Sequence, residues 1–488
     1  MRNEKRRIFF PNSICSDDFD NLNRFHEIRN QGFSTLCRKM MRWTNCVTKT
    51  LNKTKKFPHV VVHLPSFACP NEFRCRAEKT YQSLQNIQIG RLGWLENKAS
   101  QVLYICPDDT NLNISLIQKL VTLVRPDVNF DNLWIIKTEE NNLKGNCMSG
   151  CENFFFTPAT YRRVRYLTAG RQAFIVPGIL SEMDILVASE LKMAIFGPCL
   201  TFQNRLLNKN YTMNVLYEAK IKQPPFMGVI NFKELCSNLA KMILTHPLYK
   251  LWFIKINFGH YGHQTALYRI NKELREKINN FLLSEKELES ILAVLLYKDI
   301  QCNKEIYKKS KHFFDDLEIY GGILQACPNG EYHVISVGLL NEHDTAEPLL
   351  IATADVIKLK NNIITNVGYI IPQSKIPQEN IEKLSKQIGE IILQEQYIGF
   401  YGIDIIAFEN EEKVQELWVV NVNPYYTDLL SFNDWKLFCS KQCSCCPSTK
   451  VEKNYAVCSG KLYTSGLSKY CGEEFIACCK TYYDHKVY

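Results

Sequence analysis

The sequence predicts an α/β protein in which a doubly wound parallel sheet is followed by a mixed α+β fold. Between His59 and Cys199, short apolar runs alternate with segments of helical spacing, a pattern typical of parallel strands joined by crossover helices. Beyond residue 200 the alternation gives way to longer strands and charged helices, and residues 401–428 have the pattern of a β-hairpin. We therefore expect two architectures in one chain.

Five short runs are the predicted strands of the first unit, because they are rich in β-branched and aromatic residues. Helical spacing occurs between them at 112–124 and 181–192, and Ser181 is placed to cap the second of these helices. Neither a G-x-G-x-x-G nor a Walker A loop follows any strand, so a classical dinucleotide or P-loop site is not expected. The runs are VVVHL (60–64), VLYICP (102–107), LWII (133–136), AFIVPG (173–178) and MAIFG (193–197).

The second part of the chain mixes helices and strands without regular alternation. A helix at 208–219 ends before Pro224 and Pro225, and a helix that opens at Pro377 has an apolar face and leads into the hairpin. Between them we predict a strand at 251–257, a charged and mostly helical segment at 271–318, and strands at 321–327 and 332–340.

Length and composition suit a globular protein of about three domains. The chain has 488 residues, of which 46% are hydrophobic and 22% charged, and no apolar run is long enough to span a bilayer. The amino terminus has no secretory signal pattern, so a cytoplasmic protein without membrane contact is expected. We divide the chain into a basic arm (1–56), the doubly wound unit (57–200), two parts of the mixed fold (201–318, with a helical insertion, and 319–430) and a Cys-rich segment (431–488).

The two ends of the chain have unusual composition. The net charge is +9, and residues 1–56 hold 13 Lys and Arg against 5 Asp and Glu. Such an arm either contacts RNA, acidic lipid or an acidic protein, or is simply a solvated tail. Most of the 20 cysteines are expected to be reduced thiols. The C-terminal cysteines lack paired C-x-x-C spacing, so idle thiols are favoured over a zinc site.

The hairpin places one carboxylate and two amides on one face. If Phe408 pairs with Leu417, Asp404 lies opposite Asn421, and directly paired side chains are about 5 Å apart. Magnesium takes oxygen ligands from one or two carboxylates and leaves other positions to phosphate and water. Asp404, Asn421 and Asn423 are therefore candidate metal ligands, the alternative being an amphipathic hairpin whose asparagines only mark a strand end before Pro424.

Two lysines and a glycine loop are candidates for phosphate contacts. Lys255 follows apolar neighbours on one face of its strand, where a buried ammonium is costly without an anion, and Lys209 lies at a predicted helix start. The alternative at each position is a lysine that reaches solvent. Gly259, Gly262 and Thr265 belong to a loop whose backbone could approach phosphates closely. His260 and His263 of that loop are metal candidates, although ordinary loop histidines are the favoured interpretation.

The order of these features resembles that of ATP-grasp enzymes, in which an Asp on one strand and a Glu-x-Asn-Pro on the next hold the magnesium of MgATP. Asn421 stands at the Glu position, and Tyr425 stands where an Arg commonly follows the Asn-Pro. Gln325 occupies a hinge position that is usually acidic, at the adenine edge. The resemblance implies ATP and Mg²⁺ as cofactors, with Lys209 and Lys255 holding the phosphates.

More narrowly, the chain from about residue 57 resembles the C-terminal half of the IQ motif-containing protein H family. The resemblance implies a pre-ATP-grasp domain at 57–200, an ATP-grasp-like fold after it, calmodulin binding through IQ motifs, and roles in male germ cells. No IQ-x-x-x-R-G pattern occurs here, so calmodulin is not an expected partner. The matching segments are IQIGRL (87–92), TAGRQAFIVPGIL (168–180), KINFGHYGHQTA (255–266), GYIIPQSKIPQ (368–378), GFYGIDIIAF (399–408) and NYAVCSGKL (454–462).

Three functions follow from these expectations. The first is a nucleotide-binding protein with weakened or lost ligase activity and a regulatory role, a pseudoenzyme candidate, because Asn421 removes a metal carboxylate. The second is an active ATP-dependent carboxylate-amine ligase that works through an acyl-phosphate. The third and weaker hypothesis is a scaffold that binds RNA or a protein partner through the basic arm.

Overall fold

The computed structural model describes residues 57–106, 114–138, 147–259, 262–280, 282–342, 347–359, 362–440 and 456–459, with single positions at 35, 38, 40, 42 and 345. Within these residues the chain forms three sheets, one parallel and two antiparallel. The predicted basic arm and most of the C-terminal cysteines lie outside the described residues. The predicted α/β and α+β parts are both confirmed.

The first sheet is parallel, with strand order β3-β2-β1-β4-β5. Alternate residues of β1 are buried on opposite faces, since Val60 and Val62 pack in one apolar cluster and Val61 in another. Such burial on both faces explains the continuous apolar run VVVHL. The strands are β1 (His59–Phe67), β2 (Ser100–Cys106), β3 (Leu133–Lys137), β4 (Ala173–Ile179) and β5 (Ala194–Ile195).

Helices cover both faces of this sheet, and their caps follow the sequence. Ser181 accepts a hydrogen bond from the Asp184 backbone N–H and so begins the last helix, as predicted. The helices are α1 (Asn71–Asn86), α2 (Ile114–Val124), α3 (Gly150–Phe155), α4 (Pro158–Thr168) and α5 (Glu182–Leu191), with 3₁₀ turns at Ile87–Glu96 and Phe130–Asn132.

The second sheet is antiparallel, with order β6-β10-β7-β8-β9. Its strands are β6 (Phe226–Val229), β7 (Leu251–Ile256), β8 (Thr265–Arg269), β9 (Gln301–Cys302) and β10 (Gly322–Ala326). The division proposed at residue 319 therefore leaves β10 beyond the boundary, although it pairs inside this sheet. The helices are α6 (Leu200–Leu207), α7 (Lys209–Glu218), α8 (Phe232–Thr245), α9 (Lys272–Asn279), α10 (Glu285–Asp299) and α11 (Ser310–Tyr320).

The third sheet is also antiparallel, with order β15-β14-β11-β12-β13-β16. Its strands are β11 (Tyr332–Asn341), β12 (Leu349–Leu359), β13 (Asn362–Ile371), β14 (Gly399–Glu409), β15 (Gln415–Asn423) and β16 (Ala456–Ser459), and its helices are α12 (Gln378–Gln394) and α13 (Asp428–Ser440). Side chains from the second and third sheets, among them Lys255 of β7 and Asp404 of β14, line one cleft.

The parallel-sheet unit is anchored to the third sheet through close backbone contact. Gly90 and Gly93 of the 3₁₀ turn lie against α13, and a Cβ atom at these positions would come within 2.4 and 2.3 Å of the carbonyl oxygens of Ser431 and Asp434. Only glycine permits that approach. Among the described helices, none combines the length and apolar character needed to cross a membrane.

Candidate functional site

A single cleft between the second and third sheets brings together eight of the nine predicted site residues. Its volume is about 120 Å³. The predicted residues that line it are Lys209, Lys255, Gly259, Gly262, Thr265, Asp404, Asn421 and Asn423. The structure therefore juxtaposes the two lysines, the glycine loop and the hairpin, which are up to 214 positions apart in the sequence.

The hairpin pairs Asp404 with Asn421 as predicted, but by a different register. Phe408 pairs with Glu416 and not with Leu417, and the register shifts by one residue between Asp404 and Ile405. Val420 is the extra residue of this β-bulge. The expected register was wrong by one position near the turn, and the bulge restores the predicted pair.

The bulge also decides which face the asparagines occupy. Leu417 and Val419 pack in the apolar cluster on the far side of the sheet, whereas Asn421 and Asn423 line the cleft with Asp404. Regular alternation along the strand predicts one face for all four residues, and this prediction is wrong because alternation fails at a bulge. A sequence of alternating residues carries no signal of this extra position.

Asp404 is the centre of a hydrogen-bond network made entirely by the protein. Its Oδ1 accepts from Ser336 Oγ at 3.0 Å, and its Oδ2 accepts from the side-chain amides of Asn421 and Asn423 at 3.2 and 3.0 Å. The Tyr425 hydroxyl donates to Asn423 Oδ1 at 3.1 Å. The carboxylate is thus surrounded by donors.

Lys209 reaches the same network from the first residue of α7. Its ammonium donates to the Gly259 carbonyl at 3.1 Å and to Asn421 Oδ1 at 3.4 Å. Burial lowers the pKa of Lys209 to about 8, and the nearby charge of Asp404 only partly opposes that shift. The helix begins here because the Asn208 side chain accepts from the Tyr211 backbone N–H.

Lys255 points into the cleft from β7, next to Phe253 on the same strand face. Its ammonium donates to the Val420 carbonyl at 2.9 Å, an oxygen of the bulged residue. Burial lowers the pKa of Lys255 to about 7; the positive charges of Lys209 and Lys358 add to this shift, and Asp404 opposes it. The charged form of Lys255 therefore destabilises the folded protein.

Lys358 of β12 is a third lysine in the cleft that the sequence analysis missed. Burial lowers its pKa, and its ammonium lies 5.9 Å from the centre of the Tyr332 ring. The available signal was the one used for Lys255, a lone lysine in an apolar strand, here LLIATADVIKL. It was not used because β12 was not among the predicted strands.

Gln325 does not line the cleft directly, although it lies on the same side of the second sheet. It pairs with Phe253 in the ladder between β10 and β7, and directly paired residues share a face. The side chain is only 1% exposed, and neither of its amide atoms has a hydrogen-bond partner in the described part of the chain. It is an unsatisfied polar group at the inner wall.

The glycine loop contributes Gly259 and Gly262, and Thr265 pairs with Lys255 at the start of β8. Gly262 has a φ of 75°, which favours glycine. His260 lies outside the described residues. His263 is buried, with Nδ1 2.7 Å from the Asn303 amide nitrogen, and the described residues contain no group of three His, Cys, Asp or Glu able to hold a metal.

Charge and donor chemistry favour an anion over a divalent cation in the cleft. Three lysines face one carboxylate among the described residues that line it, which leaves a net charge of 3 − 1 = +2 when all are ionised. Magnesium needs oxygen ligands, whereas Asn421 and Asn423 turn their N–H groups toward Asp404. The residues fit a phosphate group and do not fit a magnesium half-site in this arrangement.

Comparison with known proteins identifies the region. A family model described as "IQCH-like, ATP-grasp" matches residues 208–443. The IQ motif-containing protein H of Danio rerio is 20% identical over 437 residues, which cover 80% of this chain and 40% of that protein. The chain thus spans about two fifths of the length of this relative.

Solved structures similar to this chain include two that are described in complex with a nucleotide. One is the biotin carboxylase domain of Hydrogenobacter thermophilus 2-oxoglutarate carboxylase in complex with MgADP, ADP and bicarbonate (TM-score 0.44, 13% identity, 79% of this chain and 70% of that one). Another is N5-carboxyaminoimidazole synthetase from Staphylococcus aureus with ADP (TM-score 0.42, 12% identity, 76% and 71%).

The matched residues begin at the cap of α7 and end just after α13, so they include every described side chain that lines the cleft. Residues 208–443 are therefore similar to the IQCH-like ATP-grasp family.

Proposed function

We propose that this chain is a regulatory nucleotide-binding protein that holds the phosphates of ATP in the cleft and has weakened or lost ligase activity. The observation that carries the proposal is the convergence of Lys209, Lys255 and Lys358 on one carboxylate. Within the described residues, none of these lysines forms an ion pair with a carboxylate, and Lys209 and Lys255 donate to neutral oxygens. A polyphosphate supplies the missing negative charge.

The cleft must widen to admit a whole nucleotide. Its volume of about 120 Å³ equals the space of about four water molecules, whereas sites for drug-sized ligands measure about 300–1,000 Å³. The volume suits a phosphate group. Gln325 lies on the inner side, where its unsatisfied amide can pair with an adenine edge, which offers both a donor and an acceptor.

Turnover is expected to be weak because the groups that would stabilise a transferred phosphoryl are incomplete. Asp404 is the single carboxylate among the described residues that line the cleft, and a magnesium ion would find donors where it needs acceptors. Tyr425 is buried and uses its hydroxyl on Asn423, so it supplies no cation at the position where an Arg is common. Positioning and charge stabilisation are the main contributions of a protein to phosphoryl transfer.

Titration with ATP in the presence of magnesium tests the proposal by thermal shift and calorimetry. Saturation at 100 times Kd should stabilise the folded protein by about 2.7 kcal/mol. Lys255→Met should lose this response, whereas Lys241→Met, at an exposed position on α8, should keep it. Absence of a shift at millimolar ATP, here and in a parallel titration in EDTA, would refute the proposal. Sustained ADP release with a carboxylate and an amine would instead select the active ligase.

A further inference from the structure

The polar groups that would surround a metal in the cleft are hydrogen-bonded to one another. Asp404 accepts three hydrogen bonds, from Ser336 at 3.0 Å, Asn421 at 3.2 Å and Asn423 at 3.0 Å. A carboxylate offers about four acceptor positions, so three of them are filled by N–H and O–H groups. The side-chain amides of Asn421 and Asn423 donate to the carboxylate at the positions where a metal cation would otherwise bind it.

The amide oxygens are committed as well. Asn423 Oδ1 accepts from Tyr425 at 3.1 Å and from Asn421 Nδ2 at 2.9 Å, and Asn421 Oδ1 accepts from Lys209 at 3.4 Å. Rotating either amide by 180° would break its hydrogen bond to Asp404. It would also bring the amide N–H of Asn421 against the Lys209 ammonium, or that of Asn423 against the Asn421 amide, and both of these neighbours are donors. In the observed orientation each amide oxygen already accepts a hydrogen bond, so neither asparagine presents a free oxygen to a cation.

The positive charge that a polyphosphate requires is present in the protein itself. Lys209 comes from the start of α7, Lys255 from β7 and Lys358 from β12, so the three ammonium groups approach from three different elements. Lys209 is also bonded to the amide that holds Asp404. Ammonium groups can neutralise phosphate oxygens as point charges without fixed geometry.

We propose that the cleft binds its polyphosphate without a divalent cation, with Lys209, Lys255 and Lys358 in place of the metal and Asp404 serving to position the two asparagines. This inference rests on the proposed nucleotide function and specifies its charge partner. It makes Asp404 a positioning residue, and it makes the free nucleotide the preferred ligand over its magnesium complex.

Calorimetric titration of the full chain with ATP in excess EDTA, and separately in excess Mg²⁺, tests the inference. We expect the Kd in EDTA to be equal to or tighter than the Kd in Mg²⁺. Binding that is at least tenfold weaker in EDTA would overturn the metal-free site but leave the nucleotide function intact. Failure to bind in both buffers would instead overturn the nucleotide function, so the two failures are distinguishable.

Two variants separate the roles of charge and metal. Lys358→Met should weaken ATP binding in EDTA at least tenfold, and Asp404→Asn should tighten it, because the substitution removes the negative charge that faces the phosphates. Loss of binding by a folded Asp404→Asn protein would overturn the inference. Inorganic tripolyphosphate is the matched probe without a base, and Lys241→Met is the matched control for the loss of a lysine.

Asn421→Glu provides a third arm in case Asp404→Asn fails to fold. The new carboxylate adds a second negative charge beside Asp404, so binding in EDTA should weaken, and added Mg²⁺ should restore it. A wild-type protein that already shows this magnesium response, or a variant that binds equally in both buffers, would contradict the assignment. Circular dichroism and the unfolding temperature of each variant report whether it is folded.

Discussion

Replacing Lys255 by methionine should stabilise the empty protein while removing its anion site. The methionine side chain has a length similar to that of lysine but carries no charge. In the wild type, the Lys255 ammonium donates to one neutral acceptor, the Val420 carbonyl. Burial and two neighbouring lysines lower the pKa of Lys255 from 10.5 to about 7. A cation whose pKa falls on folding destabilises the folded state, since the unfolded chain binds the proton more tightly.

The magnitude follows from the size of that shift. Below pH 7 the fall in pKa corresponds to about 5 kcal/mol of lost stability, and at pH 9, where the folded lysine is already neutral, about 2 kcal/mol remains. Leaving the Val420 carbonyl without its donor costs about 1–3 kcal/mol at either pH. Lys255→Met should therefore gain about 2–4 kcal/mol at pH 6 and little or nothing at pH 9.

Thermal unfolding at pH 6 and pH 9 measures this difference. For a folding unit of 150–250 residues, 1 kcal/mol corresponds to about 2–4 °C, so the variant should unfold several degrees above the wild type at pH 6 and close to it at pH 9. Lys241→Met should track the wild type at both values. A variant that is less stable at pH 6, or a stability difference that does not change with pH, would refute the argument that the cleft destabilises this cation.

Three further predictions concern the same structure. ATP affinity should fall as pH rises from 7 to 9, because phosphate binds the charged forms of Lys255 and Lys209. The fall should reach about tenfold per pH unit for each lysine that loses its proton. A constant affinity across this range, measured by calorimetry, would contradict the prediction. Gly93→Ala should cost about 1–3 kcal/mol in thermal unfolding, since its Cβ would lie 2.3 Å from the Asp434 carbonyl oxygen. Gln325→Leu should stabilise the empty protein but reduce the preference for ATP over tripolyphosphate, and unchanged discrimination would exclude a base contact.

The predicted part of the site is the part that local sequence encodes. Lys255 was found because a charged residue interrupts an apolar strand, and Asp404 and Asn421 because a hairpin with a polar loop fixes which residues pair. Both signals depend on neighbours within about 20 positions. That these residues line one cleft depends on how two sheets pack. The only sequence signal for this packing is the order of the motifs, which resembles that of ATP-grasp enzymes.

The missed part depends on departures from regular alternation. The bulge at Val420 moves Asn421 and Asn423 to the cleft face, and nothing in the residue pattern marks it. Lys358 lies on a strand that carries Asp355 three positions after a buried alanine, Ala352. In such a strand polar and apolar residues do not alternate cleanly, so the strand and its lysine both went unpredicted. For β5 the predicted strand is too long: the run MAIFG predicts a strand of five residues, but only Ala194 and Ile195 form one.

The segment after β15 links the cleft to the parallel-sheet unit by its alternating side chains. Asn423, Tyr425 and Thr427 line the cleft. The intervening Tyr426 lies under the Arg91 guanidinium, 4.2 Å from its ring centre, and its backbone carbonyl accepts from Gln88 at 2.9 Å.

Arg91 is fully buried, and it also donates to the Val176 carbonyl of β4 at 3.0 Å. Displacement of this segment would cost free energy, because a buried guanidinium that loses its acceptors is destabilised. The 3₁₀ turn and β4 must therefore move with Tyr426 or lose these bonds.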